Sequence, residues 1–205
     1  MSKRARIHLS SDAQMTALIT RIGVIRLKAL RLSPFQSLTR AIVYQQLSGK
    51  AAGTIFGRFV AMYPDGFPTP VQVANTSVEK LRSSGLSRGK ASYILDLAQH
   101  CEAGRLPSLE ECDLLGDTEI ITKLTEVKGI GRWTVEMFLI FNLGRPDVLP
   151  VHDLGVRRGF QLTYNKRKLP EPERLEDHGR RWGPHRTMAA RYLWRAADSD
   201  GNPNQ

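Results

Sequence analysis

Apolar residues recur three and four positions apart along most of this chain, the period of one buried helix face. Leu18, Ile19, Ile22 and Ile25 form the first set, and Ser10, Ser11 and Asp12 ahead of them are helix caps. Residues 1–10 read as a loose arm. Ser33-Pro34 opens a second helix, since proline suits the first helical position, and Phe35, Leu38 and Ile42 line one face of it. That helix ends in Tyr44-Gln45-Gln46-Leu47-Ser48, ahead of Gly49. A third runs from Lys50 to Met62 and is broken by Pro64-Asp65-Gly66. Ser77 caps a short helix holding Val78 and Leu81, which Gly85 closes. Ser87 begins the next, and Gly104 and Pro107 stop it.

Between Leu124 and Phe160 the pattern is more particular. A tight turn, Lys128-Gly129-Ile130-Gly131-Arg132, is followed by a helix-compatible apolar run from Trp133 to Asn142. A loop interrupted by Pro146 and Pro150 leads to Asp153, at the head of a helix with Leu154, Val156, Phe160 and Leu162 on one side and Arg157 and Arg158 on the other. The charged, proline-interrupted stretch from Asn165 to Glu173 predicts a surface loop. Pro184 opens a last helix through Trp194, and residues 198–205 predict a frayed tail. No segment alternates convincingly in the manner of a strand, and no internal repeat occurs. The expected fold class is all-α.

The double-glycine turn has a physical use. Gly129 and Gly131 lack a Cβ, so the backbone can take positive φ and a bulky partner can approach it closely. Amides at the start of the following helix then point outward, where a phosphate is a natural acceptor, and Lys128 and Arg132 add positive charge. Glycine also serves ordinary helix–helix connections, so the turn alone decides little. Charge adds weight: 30 Lys and Arg against 20 Asp and Glu leave a net +10, the balance of a polyanion binder. The acidic residues between Glu110 and Glu119 read as a solvated outer face. Cys101 and Cys112 form neither a CxxC pair nor a zinc set, which suits free thiols in a reducing compartment. No apolar run approaches a membrane span, and the basic start lacks the apolar core of a signal peptide, so cytoplasm, nucleoid or nucleus is the expected location.

Taken together, AIVYQQLSGKAA, VKGIGRWTVEMF, LPVHDLGVRR and WGPHRTMAARYLW resemble the helix-hairpin-helix DNA glycosylases, and within them the 3-methyladenine DNA glycosylase II branch. The resemblance spans most of the chain. It implies two helical lobes with a DNA-binding cleft between them and the hairpin on one lip. One lobe covers about residues 34–118; the other joins about 10–31 to 119–197, all within a single unit over 1–197. It also implies an enzyme that binds damaged double-stranded DNA, flips an alkylated purine out of the stack and removes it hydrolytically, leaving an abasic site. A monomer is expected.

By this resemblance Asp153 is the catalytic carboxylate, placed to stabilise the cationic sugar as the base leaves. Aspartate is also a favoured N-cap residue, and the two roles are compatible. Trp133 and Trp194 would line the base pocket, with Met137 and Tyr44 as further candidates. An indole face suits a cationic alkylpurine by roughly 1–2 kcal/mol, although tryptophans in helices also serve simply as core. Met137 stands where some relatives have an aromatic, which bears on substrate range. Strand-cleaving relatives carry a lysine where this chain has Trp133, so no Schiff base is expected. There is no cysteine set for an iron–sulfur cluster. The YQQLS segment matches the family's plug loop, with Gln46 as the wedge and Leu47 as the alternative. Phosphate contacts are expected from Lys128, Gly129, Gly131, Arg132, Thr134, Ser87 and Arg157, with Arg88 and Lys90 beside Ser87 open to the same role. No cofactor is expected, beyond an alkali cation that the carbonyls of Thr125, Val127 and Ile130 could hold. Longer relatives carry an extra N-terminal domain that the residues before Pro34 are too few to supply, from which a more open pocket and a narrower range on neutral bases are expected. Two other readings stay open: a non-catalytic module using the hairpin for phosphate contact alone, and a glycosylase with strand-cleaving activity or a taste for other damaged bases.

Overall fold

The computed structural model describes residues 3–200, and among these every regular element is helical. In chain order the helices are α1 (Lys3–Leu9), α2 (Ala13–Ile22), α3 (Pro34–Tyr44), α4 (Gly49–Ala61), α5 (Pro70–Ala74), α6 (Val78–Ser83) and α7 (Arg88–Glu102). They continue as α8 (Leu109–Leu114), α9 (Asp117–Thr125), α10 (Arg132–Met137), α11 (Leu154–Thr163), α12 (Pro172–Gly179) and α13 (Arg186–Asp200). A π-helical stretch, Phe138–Leu143, follows α10, and a 3-10 turn, Arg180–Trp182, follows α12. The all-α expectation holds. Most starts are chemically marked: the side chains of Asp12, Ser33, Ser48, Ser77, Ser87 and Asp153 each accept an amide N–H of the helix they precede.

The chain forms two compact units. One joins the residues up to Leu30 with those from Leu139 onward; the other is Arg31–Phe138. The hairpin segment therefore groups with the central helices, and the division falls after Phe138 and not near residue 118. Its cause is local. Gln45 Nε2 donates to the Gly129 carbonyl at 2.9 Å, and Asp96 accepts the Lys128 amide at 2.9 Å, which ties the turn to α3 and α7. The Arg31–Phe138 unit is built on Leu38, Ile42, Leu81, Ile94, Leu97, Ile120 and Leu124, all fully buried, beside an aromatic cluster of Phe35, Phe56, Phe59 and Phe67.

The other unit packs α2, α11 and α13 around Met15, Leu18, Val156, Phe160, Trp182, Tyr192 and Leu193. Here four expectations are corrected. The segment expected as a loose arm is helical over Lys3–Leu9, because Ala5 and Leu9 are buried in this core. The stretch expected as a loop through Glu173 becomes helical at Pro172, and Leu175 of α12 is fully buried. The last helix starts at Arg186, not Pro184, whose peptide bond to Gly183 is cis. It also runs through Asp200, so only 201–205 of the expected tail lie outside the described residues. A buried polar knot completes the unit. Asp12 caps α2 through the Met15 amide at 3.1 Å and accepts the Tyr164 hydroxyl at 2.6 Å and the Trp182 indole N–H at 3.3 Å. Burial pushes this carboxyl up, but those donors outweigh it and hold it below its ordinary value. His178 Nε2 lies 3.4 Å from the same carboxylate without hydrogen-bond geometry.

Candidate active site

Asp153 sits at the N-cap of α11 and is half-buried. Its Oδ1 accepts the Val156 amide at 2.8 Å and the Trp194 indole N–H at 2.7 Å. The first bond is a helix cap; the second comes from α13 and fixes the carboxylate from outside its own helix. Two glycines make this approach possible. A Cβ on Gly155 would lie 2.9 Å from Trp194 Cδ1 and 3.2 Å from Asp153 Oδ1. On Gly159 it would lie 1.8 Å from the Leu193 carbonyl oxygen, so α11 and α13 meet at backbone distance. The indole of Trp194 stacks on Phe141 at 5.8 Å and 28°, and Phe141 reaches it from the π-helical stretch. Unwinding to the i→i+5 pattern is common near functional sites because it turns a side chain off the regular helical row.

In the Arg31–Phe138 unit the turn between α9 and α10 is closed by Ile130 N–H donating to the Val127 carbonyl at 3.1 Å, with Val127 and Ile130 buried as anchors. Only one of its glycines is left-handed. Gly129 has φ 80°, and a Cβ there would lie 2.2 Å from the Tyr93 ring. Gly131 is extended, at φ −93°, and a Cβ on it would meet nothing within 4 Å. Its service is open space beside the first amides of α10, not backbone freedom. A second turn is fixed against the first. Beyond the Gln45–Gly129 bond, Lys90 Nζ donates to the carbonyls of Val43 and Gln45 at 2.8 and 2.6 Å, and desolvation lowers the affinity of that amine for its proton. Between these staples and the Ser48 cap, Gln46 is held at φ 55°, and Gln46 and Leu47 are exposed. A non-glycine residue kept in this region, with its surroundings enforcing it, is a mark of functional sites.

The sequence profile of the HhH-GPD superfamily of base excision DNA repair proteins matches residues 39–185. The chain belongs to that superfamily. It is 38% identical over 198 residues to DNA-3-methyladenine glycosylase 1 of Schizosaccharomyces pombe, covering 95% of this chain and 87% of that protein. The S. pombe 3-methyladenine DNA glycosylase solved in complex with abasic DNA superposes with a TM-score of 0.84 at 38% identity, covering 94% of this chain and 96% of the other. The crystal structure of DNA-3-methyladenine glycosidase from Bacillus halodurans gives a TM-score of 0.87 at 40% identity, covering 98% and 91%.

Several residues expected from the HhH-GPD resemblance have other commitments. Arg157 donates to the Pro170 carbonyl at 2.8 Å and lies 3.8 Å from Glu171, so its guanidinium serves a loop of its own unit. Thr134 is 7% exposed, so little of the residue faces solvent. Arg132 is largely exposed but pairs at 3.0 Å with Glu136, itself only 3% exposed. Lys128 reaches Asp96 at 3.5 Å while staying exposed. Ser87 caps α7 with its hydroxyl, and the Tyr44 ring lies under Arg40 at 4.2 Å and edge-on to Phe56. Trp133 is 50% exposed in the first turn of α10, with Met137 half-buried at its end. The structure brings Asp153 and Trp194 together; Trp133, Met137 and Tyr44 belong to the Arg31–Phe138 unit. Sequence reasoning missed Phe141, Gln45, Tyr93 and Asp96, and left Lys90 open to a phosphate contact, whereas its ammonium bonds two backbone carbonyls. Gln45 was within reach, as a polar residue beside the plug positions.

Proposed function

We propose that this protein is a base-excision-repair glycosylase that removes alkylated purines of the 3-methyladenine and 7-methylguanine type and leaves an abasic site. The observation that carries this reading is the Asp153 carboxylate, held by N–H donors from two helices 2.8 and 2.7 Å away. As the bond between C1′ and the base nitrogen breaks, the electron pair leaves with the base and positive charge grows on the sugar. A fixed carboxylate lowers the energy of that state, and water then supplies the oxygen that bonds to C1′, losing its proton. Two donors on Oδ1 fix the direction of the negative charge in advance, so little reorganisation accompanies the reaction. Trp133, half-exposed, offers an indole face to a cationic base and has no amine with which to form an imine.

Extrusion of the base leaves a gap in the stack, which Gln46, projected from a left-handed turn, or the exposed Leu47 fills. The hairpin's open amides beside Gly131, with Lys128, Arg132 and the Ser87 end of α7, take the backbone phosphates. The carbonyls of Thr125, Val127 and Ile130 would be the oxygen donors for a bound Na⁺ or K⁺, which would add positive charge to the same turn. The protein acts as a monomer at the nucleoid or in the nucleus. The test is incubation with methylated duplex DNA. Free 3-methyladenine and 7-methylguanine should appear with the strand left uncut, and borohydride should trap no protein–DNA adduct. A trapped adduct would mean a lyase, and DNA binding with no base released would mean a non-catalytic module.

A further inference from the structure

On the unit that carries Asp153 lies a cavity of ≈ 620 Å³ lined by Arg21, Arg26, Arg191 and Arg195, with Val24 and Ser199 at its edge and no carboxylate in its wall. The arginines come from three separate places. Arg21 is in the last turn of α2, Arg26 is in the extended segment that follows, and Arg191 and Arg195 are one turn apart on α13. None of the four is in an ion pair with a described residue. Arg191 is half-buried; desolvation and the neighbouring Arg195 both work against its charge. Four arginines lining one cavity, with no carboxylate among the lining residues, make a site for an anion, and planar guanidinium N–H forks match phosphate oxygens.

The cavity also borders the chemistry. Arg191 lies over the Phe141 ring at 5.8 Å, Phe141 stacks on Trp194, and Trp194 donates to Asp153. An anion that orders Arg191 therefore acts on a side chain in contact with the aromatic pair that holds the carboxylate. The volume exceeds what one free phosphate fills, and Val24, 66% exposed, gives the rim an apolar surface for a sugar. We propose that this basin binds phosphodiester groups of the DNA backbone, a grip separate from the hairpin and placed on the unit that holds Asp153. The proposal rests on the glycosylase reading for the identity of its ligand.

The test measures duplex affinity against salt concentration for the full chain, wild type and Arg191→Gln/Arg195→Gln. Inorganic pyrophosphate is added separately as a free-anion probe in thermal melts. The slope of log K against log salt should become shallower by about two, roughly one for each phosphate that the variant no longer neutralises. Millimolar pyrophosphate should raise the Tm of the wild type and not of the variant. A control pair on exposed helix positions outside the cavity, Arg58→Gln/Arg82→Gln, should leave the pyrophosphate effect intact and change the slope less. If pyrophosphate protection disappears while the slope stays, the cavity takes a free phosphate and the DNA assignment is wrong. If neither changes, or the control matches the variant, there is no phosphate site. Should the α13 variant melt early, Arg21→Gln/Arg26→Gln, at exposed positions, gives the same readings. Neither measurement needs base release. An inactive protein with the arginine-dependent slope would refute only the catalytic reading, and an active one with an unchanged slope would refute only this inference.

Discussion

In the unit that carries Asp153, two N–H donors at 2.8 and 2.7 Å and two glycines that let α11 and α13 touch hold one charged oxygen in place. In the Arg31–Phe138 unit the short bonds act on turn backbone: side chains of Gln45 and Lys90 donate to backbone carbonyls, and Asp96 accepts the Lys128 amide. One region fixes the direction of a side-chain charge, which catalysis by electrostatic preorganisation requires. The other fixes the shape of two turns, leaving amides, Gln46 and Leu47 to meet a partner. Packing between helices serves the first purpose because a carboxylate must not move as charge develops. Side-chain staples serve the second, because a turn lacks the regular backbone hydrogen bonds that define a helix.

The contrast can be broken from either side. Trp194→Phe keeps the stack on Phe141 and removes the donor to Asp153. A hydrogen bond to a charged group contributes about 1.5–3 kcal/mol, so single-turnover base release should fall about 10- to 100-fold while duplex affinity stays nearly constant. An equal drop in affinity would show that Trp194 acts mainly in binding. Lys90→Met removes the staple from the Val43 and Gln45 carbonyls. It should lower Tm by several degrees, for a cost of about 1–2 kcal/mol, and raise the duplex Kd several-fold, with release from pre-bound DNA less affected than in Trp194→Phe. Equilibrium binding and melting curves check both parts. The smallest effect concerns stability in the Asp153 unit. Burial and nearby Arg181 lower the pKa of His178 although Asp12 opposes them, so the unfolded chain binds a proton there more readily than the folded one. Stability should decline as pH falls through about 6.5, the unfolded value, towards the lower folded one. His178→Gln should flatten that limb of the pH profile, as followed by denaturant melts.

Much of the helical plan was legible because its signals are local. Asp12, Ser33 and Ser77 announce helix starts within a few residues of the apolar faces they precede, and Asp153 carries its cap signal in the same way. What stayed hidden is set by distant contacts. The Gln45–Gly129 bond spans 84 positions, and nothing near Lys90 shows that its ammonium turns inward. Gly129 and Gly131 are alike in sequence, yet only the one above Tyr93 is left-handed. Phe141 lies in a run that reads as an ordinary helix, and the shift to π-helical bonding turns it towards Trp194. The helix at Lys3–Leu9 was invisible because basic residues surround the two apolar positions that enter the core.

Asp153→Asn is the most direct test of the whole account, because asparagine keeps an oxygen to accept the Val156 and Trp194 N–H groups while the negative charge is lost. Single-turnover release of 3-methyladenine from methylated duplex should fall by about 10²–10³-fold or more, with the Kd for the same duplex changed by no more than about twofold. Release at the wild-type rate would contradict the account, since the negative charge would then have no part in the chemistry.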